Sequence, residues 1–312
     1  MKQPVTLLYL LFVLFVLNLT AFLFFSRTKI SCQAQAKQEE VISLPETTTT
    51  DVVVPTGMSF AGEEVPLYRT DVQEALRKEL IVNTYLHSHT IQLLKNAPRM
   101  FAIIEPILKK AGIPDDFKYL AVIESTLNPS AVSPAKAVGL WQFMEGTGKE
   151  YGLEINREVD ERYHVRKSTE AATRYLQKAY DRFGSWTLAA ASYNAGCNML
   201  QTQMTIQKEA DYYNLLLGEE TERYVFRILA LKQIMSHPEL YHFENVTPYP
   251  TEEIKTVKVS GPVNEWTEFA KKHHISYKTL KRFNPWLRKS DLLNPKHKTY
   301  EVAIPVHTER YR

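Results

Sequence analysis

The sequence has little cysteine and little net charge, and both shortages exclude functional classes. Its 312 residues include two cysteines, Cys32 and Cys197, and carry a formal net charge of +3. Two cysteines are too few for the disulfide framework of a small secreted domain, and we do not expect them to pair. A charge this small falls far short of the basic stripe of a nucleic-acid-binding protein. We therefore predict no nucleic-acid partner, and the mild basicity favours at most an anionic surface or polymer.

The sequence also offers no convincing metal or cofactor site. His273 and His274 are adjacent, and adjacent side chains on a helix diverge by roughly 100°. A surface pair therefore explains these histidines better than a metal site. Cys197 has no histidine near it in the sequence, so we interpret it as a small buried residue and not as a nucleophile. We predict no metal and no cofactor.

One uncharged hydrophobic run occupies residues 5–25. Its length suits a membrane-spanning helix, which needs about 20 residues, and exceeds a signal-peptide core of about 7–15 residues. Residues 1–30 are therefore predicted to be a membrane anchor or signal segment. An uncleaved anchor is favoured over cleavage at the small residues 34–36. Lipidation of Cys32 is discounted, because Lys29 places a charge where a lipidation signal has leucine. In either case the rest of the chain is expected to be exported.

The remaining chain divides into three parts by its patterning. Residues 31–66 are predicted to be a disordered linker, because they lack periodicity and have few bulky apolar residues. Residues 67–245 show amphipathic helical periodicity with glycine stops. Residues 253–306 are predicted to form a strand, two short helices and a second strand. The predicted fold class is mainly α, with a small α+β C-terminal module.

The stretch FKYLAVIESTLNP, residues 117–129, places one acid on the apolar face of a predicted helix. Glu124 follows Phe117, Leu120 and Ala121 at helical spacing, so the four share a face. The proline that closes the stretch is expected to end the helix. A carboxylate in this position is paired with a base, turned to solvent, or placed in a cleft where desolvation raises its pKa.

Two further stretches carry polar groups suited to a saccharide. AVGLWQFMEGTG, residues 137–148, contains Gln142, whose amide offers both a donor and an acceptor. SYNAG, residues 192–196, places Tyr193 and Asn194 at a predicted helix end, where they could stack on a sugar ring and bond its hydroxyl and amide groups. Taken singly, each stretch is explained as well by a core or turn residue.

The order of these motifs resembles a known family. Glu-Ser, Gly-Leu-Trp-Gln-Phe-Met, Ser-Tyr-Asn-Ala-Gly and Glu-Thr-x-x-Tyr-Val follow one another within about residues 100–235. This order is similar to that of the family 1 lytic transglycosylases, and especially the membrane-bound type D enzymes. The resemblance implies a lysozyme-like helical catalytic domain over residues 67–245. Residues 253–306 resemble a divergent LysM module, a peptidoglycan-binding fold, in which GPVNEW replaces the usual Gly-Asp-Thr.

The resemblance implies cleavage of the β-1,4 bond between N-acetylmuramic acid (MurNAc) and N-acetylglucosamine (GlcNAc), without water, leaving a 1,6-anhydro end. Glu124 would be the catalytic acid and then the base. Substrate-binding residues, carried over by motif position, would be Ser125, Gln142, Tyr193, Asn194 and Tyr224. The expected partners are peptidoglycan glycan strands and, through the N-terminal segment, a membrane. The expected location is the cell envelope, with a periplasmic catalytic domain that is membrane-anchored, or secreted if the segment is cleaved.

Two alternatives remain open at this point. A goose-type lysozyme-like enzyme would hydrolyse the same bond, and a non-catalytic scaffold would only bind the cell wall. Glu145 stands where the family usually has proline. It is either a solvated surface residue or a second carboxylate near the cleft, which would allow hydrolysis.

Overall fold

The structure is a computed structural model that describes residues 51–311. The predicted anchor or signal segment, residues 1–30, and the linker as far as residue 50 lie outside the described residues. Within residues 51–311, no helix is both long and apolar enough to cross a membrane.

The described chain is mainly helical, which confirms the predicted fold class. Its α-helices are α1 (Thr70–Tyr85), α2 (His87–Ala111), α3 (Lys118–Ser125), α4 (Glu145–Glu150), α5 (Val165–Phe183), α6 (Trp186–Ala195), α7 (Cys197–Gln207), α8 (Glu219–Ser236), α9 (Trp266–Lys272) and α10 (Tyr277–Phe283). Two short strands, β1 (Ser59–Phe60) and β2 (Glu63–Glu64), precede α1, and two longer ones, β3 (Ile254–Val259) and β4 (Tyr300–Pro305), flank α9 and α10.

The prediction of a disordered linker is wrong over residues 52–65. Phe60 is fully buried and Val65 is 2% exposed, both within the main hydrophobic core. The carboxylate of Glu63 accepts hydrogen bonds from the backbone N–H groups of Trp186 (2.6 Å) and Thr187 (2.9 Å) at the start of α6. These few anchor residues offset the ordering entropy of a segment whose average composition is that of a linker.

Helices within residues 67–245, which we call the helical region, end as their sequences predict, with one exception. Gly112 and Gly184 end α2 and α5 with φ of +72° and +65°, the left-handed region that glycine tolerates. Helix α3 was expected to continue to the residue before Pro129, but it ends at Ser125. Thr126, the residue directly after Ser125, has a left-handed backbone with φ of +54°, and this conformation, which a β-branched residue rarely adopts, ends the helix.

A main core unites the long helices and positions α3 inside the fold. Helix α8 packs against α1, α3 and α6, and α5 packs against α2 and α6. Phe117, Leu120 and Ala121 are fully buried, so the face predicted for this stretch is the face that meets the core. Glu124 lies at the end of that face and is only partly buried.

The C-terminal unit has the predicted strand–helix–helix–strand order. Strands β3 and β4 pair antiparallel, with Ile254 opposite Pro305 and Val259 opposite Tyr300. Helix α10 packs against β4 and against α9, and Trp266, the first residue of α9, is fully buried. The hydrophobic core of this unit also includes residues of the helical region, among them Val159.

Candidate active site

Glu124 and Tyr224 meet between α3 and α8. The Tyr224 hydroxyl donates a short hydrogen bond to Glu124 Oε1. Tyr224 itself is 2% exposed, whereas Glu124 keeps part of its surface open to solvent. The hydrogen bond from Tyr224 fixes one oxygen of the Glu124 carboxyl, and the partial exposure of Glu124 leaves the carboxyl accessible from solvent.

The surroundings of Glu124 hold its pKa near neutrality. Burial, the largest effect, raises the pKa from 4.5 to about 7. The hydrogen bond from Tyr224 and the positive charge of Arg227 lower it, and the negative charge of Glu220 raises it. A carboxyl with this pKa exchanges its proton near pH 7, which general acid–base catalysis requires.

Tyr193 lies close enough to Glu124 for the two side chains to interact electrostatically. Burial and then the charge of Glu124 raise the pKa of Tyr193 well above its ordinary value, so its hydroxyl remains a neutral donor. That hydroxyl donates to the backbone carbonyl of Trp141 at 2.8 Å. The Tyr193 ring packs edge-on against Phe143 and Tyr175, with centroids 6.1 and 5.0 Å away. These contacts join helix α6 to the stretch that carries Gln142.

Gln142 lies on a tight loop, residues 137–143, which we call the cleft loop. Its backbone is left-handed, with φ of +48°, and its Nε2 donates to the carbonyl of Gly139 at 2.8 Å. Gly139 has φ of +82°, and a Cβ there would lie 2.0 Å from the Arg162 carbonyl oxygen. The loop therefore requires glycine at position 139. Gln142 is half-buried and has a left-handed backbone that non-glycine residues rarely adopt, which makes it a candidate substrate contact.

Asn194 is placed by its hydrogen bonds to α8. Its Oδ1 accepts from Thr221 Oγ1 at 2.9 Å, and its Nδ2 donates to Glu220 Oε1 at 3.2 Å. These bonds link the end of α6 to the first turn of α8, one turn before Tyr224. The structure thus brings Glu124, Tyr193, Asn194 and Tyr224 together around the α3–α6–α8 junction.

Ser125 and Glu145 lie differently from the rest of the predicted set. Ser125 is 6% exposed, and its hydroxyl donates to the Ala121 carbonyl at 3.3 Å. Among the contacts of residues 51–311 it has no hydrogen bond to Glu124, so its role at the substrate stays a prediction. Glu145 is exposed and pairs with Lys149 at 2.6 Å, and this bond lowers the pKa of its carboxyl. Glu145 therefore has the features of a solvated surface residue.

Two charged residues at the site were missed by the sequence reasoning. Glu220 lies in the Glu-Thr-x-x-Tyr-Val motif, where its spacing before Tyr224 could have identified it. Arg227 follows Tyr224 by three residues on α8, which places both on one face of the helix. Both act electrostatically on Glu124. Within the described part of the chain, Arg227 has no carboxylate partner of its own, and no motif pointed to it.

A separate cavity lies elsewhere in the helical region. It has a volume of about 340 Å³ and opens between α1 and α8, beside Glu79 and Arg223. None of the predicted site residues lines it. Because the carboxyl with the strongly raised pKa lies at Glu124 and not in this cavity, the α3–α6–α8 junction is the better candidate active site.

Two protein-family models match the chain. The transglycosylase SLT domain matches residues 101–216, and the soluble lytic transglycosylase C-terminal LysM-like domain matches residues 255–308. The first match includes Glu124, the cleft loop and Tyr193, and it ends before Tyr224. The motifs of the catalytic region and the C-terminal unit are therefore recognised independently of each other.

The chain is similar to several curated proteins and solved structures. It is 33% identical over 242 residues to membrane-bound lytic murein transglycosylase D of Escherichia coli K12, covering 75% of this chain and 52% of that protein. It is 33% identical over 100 residues to a putative tributyltin chloride resistance protein of Alteromonas sp. (strain M-1), covering 32% of this chain and 48% of that one. The chain spans about half the length of the curated relatives it matches.

Among solved structures, the 70 kDa soluble lytic transglycosylase of Escherichia coli is 25% identical, with a TM-score of 0.36 over 43% of this chain and 24% of that chain. The two family matches are independent of this structural overlap. The chain thus contains a transglycosylase SLT domain at residues 101–216, followed by a LysM-like domain of the soluble lytic transglycosylase type at residues 255–308.

Proposed function

We propose that this chain is a peptidoglycan lytic transglycosylase, which cleaves the MurNAc-β-1,4-GlcNAc bond without water and leaves 1,6-anhydro-MurNAc ends. The observation that carries the proposal is the Glu124 carboxyl, partly buried, bonded by Tyr224 and with a pKa raised to about 7. The SLT family match over residues 101–216 supports the same reaction class.

One carboxyl performs two proton transfers in this mechanism. Protonated Glu124 gives its proton to the bridging oxygen O4 of GlcNAc as the C1–O4 bond breaks. The N-acetyl oxygen of MurNAc stabilises the electron-poor C1 in place of a second protein carboxylate. The Glu124 carboxylate then takes the proton of the C6 hydroxyl while O6 bonds to C1. Glu124 ends protonated, so no water is consumed and the enzyme is ready for the next cycle.

The neighbouring side chains serve this cycle by holding the acid and the sugar. Tyr224 orients Glu124 and, as a neutral donor, stabilises its carboxylate form. Gln142 at the tip of the cleft loop and Tyr193 line the sugar site, and Asn194 contacts sugar hydroxyl or amide groups. Ser125, next to Glu124 at the end of α3, is assigned to a hydrogen bond with the acid or with the substrate.

The rest of the chain delivers the catalytic region to the cell wall. Residues 253–306 bind glycan as a LysM-like module, residues 67–245 form the catalytic domain, and residues 5–25 anchor the chain in a membrane. The protein accordingly acts in the cell envelope, with the catalytic domain in the periplasm. The membrane-bound description of the Escherichia coli relative supports this location.

Digestion of purified sacculi tests the proposal directly. Residues 51–312 are incubated with sacculi, and the released muropeptides are weighed by mass spectrometry. Anhydro ends, lighter than hydrolysed ends by one water, are expected from the wild type and not from Glu124→Gln. Glu145→Gln, which alters an exposed carboxylate, is the matched control and should keep full activity.

The alternatives give different results in the same experiment. Reducing ends would identify a hydrolase and contradict the lytic mechanism. Retained activity in Glu124→Gln would contradict the assignment of the acid. Binding to sacculi without any release, by both wild type and Glu124→Gln, would identify a non-catalytic scaffold.

A further inference from the structure

The C-terminal unit is joined to the catalytic region along residues 154–163, which we call the docking segment. Val159 forms a β-bridge with Leu287. The Asp160 N–H donates to the Trp286 carbonyl at 2.9 Å, and the Arg288 N–H donates to the Glu158 carbonyl at 2.7 Å. The segment thus adds a short strand-like edge to the C-terminal unit. Such backbone pairing holds two surfaces in a defined register.

Side chains on both ends of the docking segment extend this contact. Glu154 accepts a hydrogen bond from Lys298 Nζ at 2.9 Å and from the Tyr300 hydroxyl at 3.2 Å. The Arg288 guanidinium lies 4.0 Å from the centre of the Tyr163 ring. Polar contacts at the rim of an apolar centre are the arrangement of a stable interface.

The apolar centre of the contact is a single continuous core. Val138, Val159 and Tyr163 from the catalytic region belong to the same buried cluster as Trp266 and Trp286 from the C-terminal unit. Val159 is 1% exposed and Val138 is 4% exposed. If the unit hung on a flexible tether, these residues would be exposed to water, which apolar side chains of this size disfavour.

The docking segment in turn holds the cleft loop. Asp160 and Arg162 form a buried two-bond ion pair, at 3.0 and 2.7 Å. Arg162 Nη1 then donates to the Phe143 carbonyl at 3.2 Å. On the other side of the loop, Gly139 packs directly against the Arg162 backbone carbonyl. The loop that carries Gln142 is therefore fixed by Arg162, and Arg162 is fixed by a residue bonded to the C-terminal unit.

We propose that the C-terminal unit is a positioning element of the active site, acting on the cleft loop through Asp160 and Arg162. This inference rests on the proposed function and adds a role to wall binding. It assigns Asp160 and Arg162 as positioning residues for Gln142 and, through the Trp141 carbonyl, for Tyr193. Loss of docking therefore lowers turnover of any substrate, including one too short to engage the C-terminal unit.

The sensitivity of catalysis to geometry gives the expected size of the effect. A displacement of about 1 Å in a positioning group can cost about 100-fold in rate. Because the cleft loop keeps its own bonds to Tyr193 and to Ala131, we expect partial displacement on undocking. The expected loss in kcat is therefore roughly tenfold.

Substitutions of Val159 in the otherwise intact chain test the proposal. Val159→Asp puts an unpaired charge into the shared core and should separate the two surfaces, whereas Val159→Ile keeps the apolar contact and is the matched control. Each variant is assayed for kcat and KM on a short soluble muroglycan, and for binding to sacculi by co-sedimentation. We expect kcat on the soluble glycan to fall roughly tenfold in Val159→Asp, with sacculus binding retained and Val159→Ile unaffected.

A milder pair of variants keeps the test decisive if Val159→Asp does not fold. Arg288→Ala removes the ring contact with Tyr163, and Lys289→Ala removes the adjacent exposed cation. Among the contacts of residues 51–311, the Lys289 side chain has none with the docking segment. We expect Arg288→Ala to lower kcat on the soluble glycan roughly two- to fivefold, and Lys289→Ala to leave it unchanged.

The outcomes separate this inference from the proposed function. Unchanged kcat on the soluble glycan in Val159→Asp, or in Arg288→Ala where the former does not fold, would overturn the positioning role. A loss of activity on sacculi alone would also overturn it, because it would show that the C-terminal unit contributes only binding to the cell wall. If the wild type itself releases no anhydro ends, the proposed function fails, and the inference about turnover fails with it.

Discussion

Replacing Glu124 by Gln is expected to abolish turnover and, at neutral pH, to stabilise the fold. The carboxyl is kept where its charged form is poorly solvated, and the pKa of about 7 expresses this penalty. Gln has nearly the same shape, is neutral at every pH, and can still accept a hydrogen bond from Tyr224. The substitution therefore removes the ionisation and leaves the packing of α3 in place.

The magnitude follows from the two pKa values and the sign of the linkage. In the folded protein Glu124 holds its proton up to about pH 7, whereas the unfolded chain releases it near 4.5. Between these values the folded state binds more protons than the unfolded state, so the free energy of unfolding decreases as pH rises. Each pH unit contributes about 1.4 kcal/mol. The wild type should lose up to about 3 kcal/mol across this window, and Glu124→Gln should not.

Denaturant unfolding followed by circular dichroism at several pH values measures this difference. At about pH 4 the two proteins should be equally stable, and at about pH 8 the Gln variant should be more stable by up to about 3 kcal/mol. Glu145→Gln is the matched control, and it should not gain stability, because Lys149 lowers the pKa of that exposed carboxyl. Parallel stability curves for wild type and Glu124→Gln at all pH values would refute the reasoning that burial holds the proton on Glu124.

Three further perturbations test other contacts of the site. Tyr224→Phe removes a bond that lowers the pKa of Glu124, so the alkaline limb of kcat/KM should move upward by roughly one pH unit; Tyr213→Phe, which removes a buried hydroxyl that makes no hydrogen bond within residues 51–311, should leave that limb in place. Gly139→Ala should lower stability by more than about 1 kcal/mol and reduce activity, because its Cβ meets a backbone carbonyl at 2.0 Å; thermal unfolding and muropeptide release measure both, and wild-type values would refute the close approach. Glu63→Gln should cost about 1–2 kcal/mol in denaturant unfolding, because a charged acceptor at the start of α6 is lost; an unchanged midpoint would show that this cap contributes nothing.

The acid and its helix could be predicted from the sequence because both depend on local periodicity. The spacing of Phe117, Leu120 and Glu124 defines one face of a helix whatever the rest of the chain does. The grouping of Tyr193 and Tyr224 around Glu124 does not follow from spacing, because Tyr193 lies 69 positions after Glu124 and Tyr224 lies 31 positions after Tyr193. Only the resemblance to a family of known arrangement brought them together before the structure did.

The features that sequence reasoning missed depend on tertiary packing or on a few residues. Arg227 acts on Glu124 because α8 crosses α3, and its own sequence context is an ordinary amphipathic helix. The order of residues 52–65 rests on Phe60, Val65 and Glu63, which are too few to change the composition of the segment. The early end of α3 rests on left-handed geometry at Thr126, a conformation that a β-branched residue rarely adopts.

The opposing influences on Glu124 explain why its pKa is raised to near neutrality and not to a still higher value. Burial alone would keep the carboxyl protonated so firmly that it could not later accept the proton of the C6 hydroxyl. Tyr224 and Arg227 alone would leave it ionised and unable to protonate the leaving oxygen. Because both sets of groups act on the same carboxyl, either proton state is accessible near pH 7, and the two steps of the proposed water-free cleavage can share one acid. Substituting Arg227 by Gln should therefore raise the pKa of Glu124 and slow the base step more than the acid step. A solvent isotope effect on kcat that is larger than in the wild type would reveal this change, and an unaltered pH profile would contradict it.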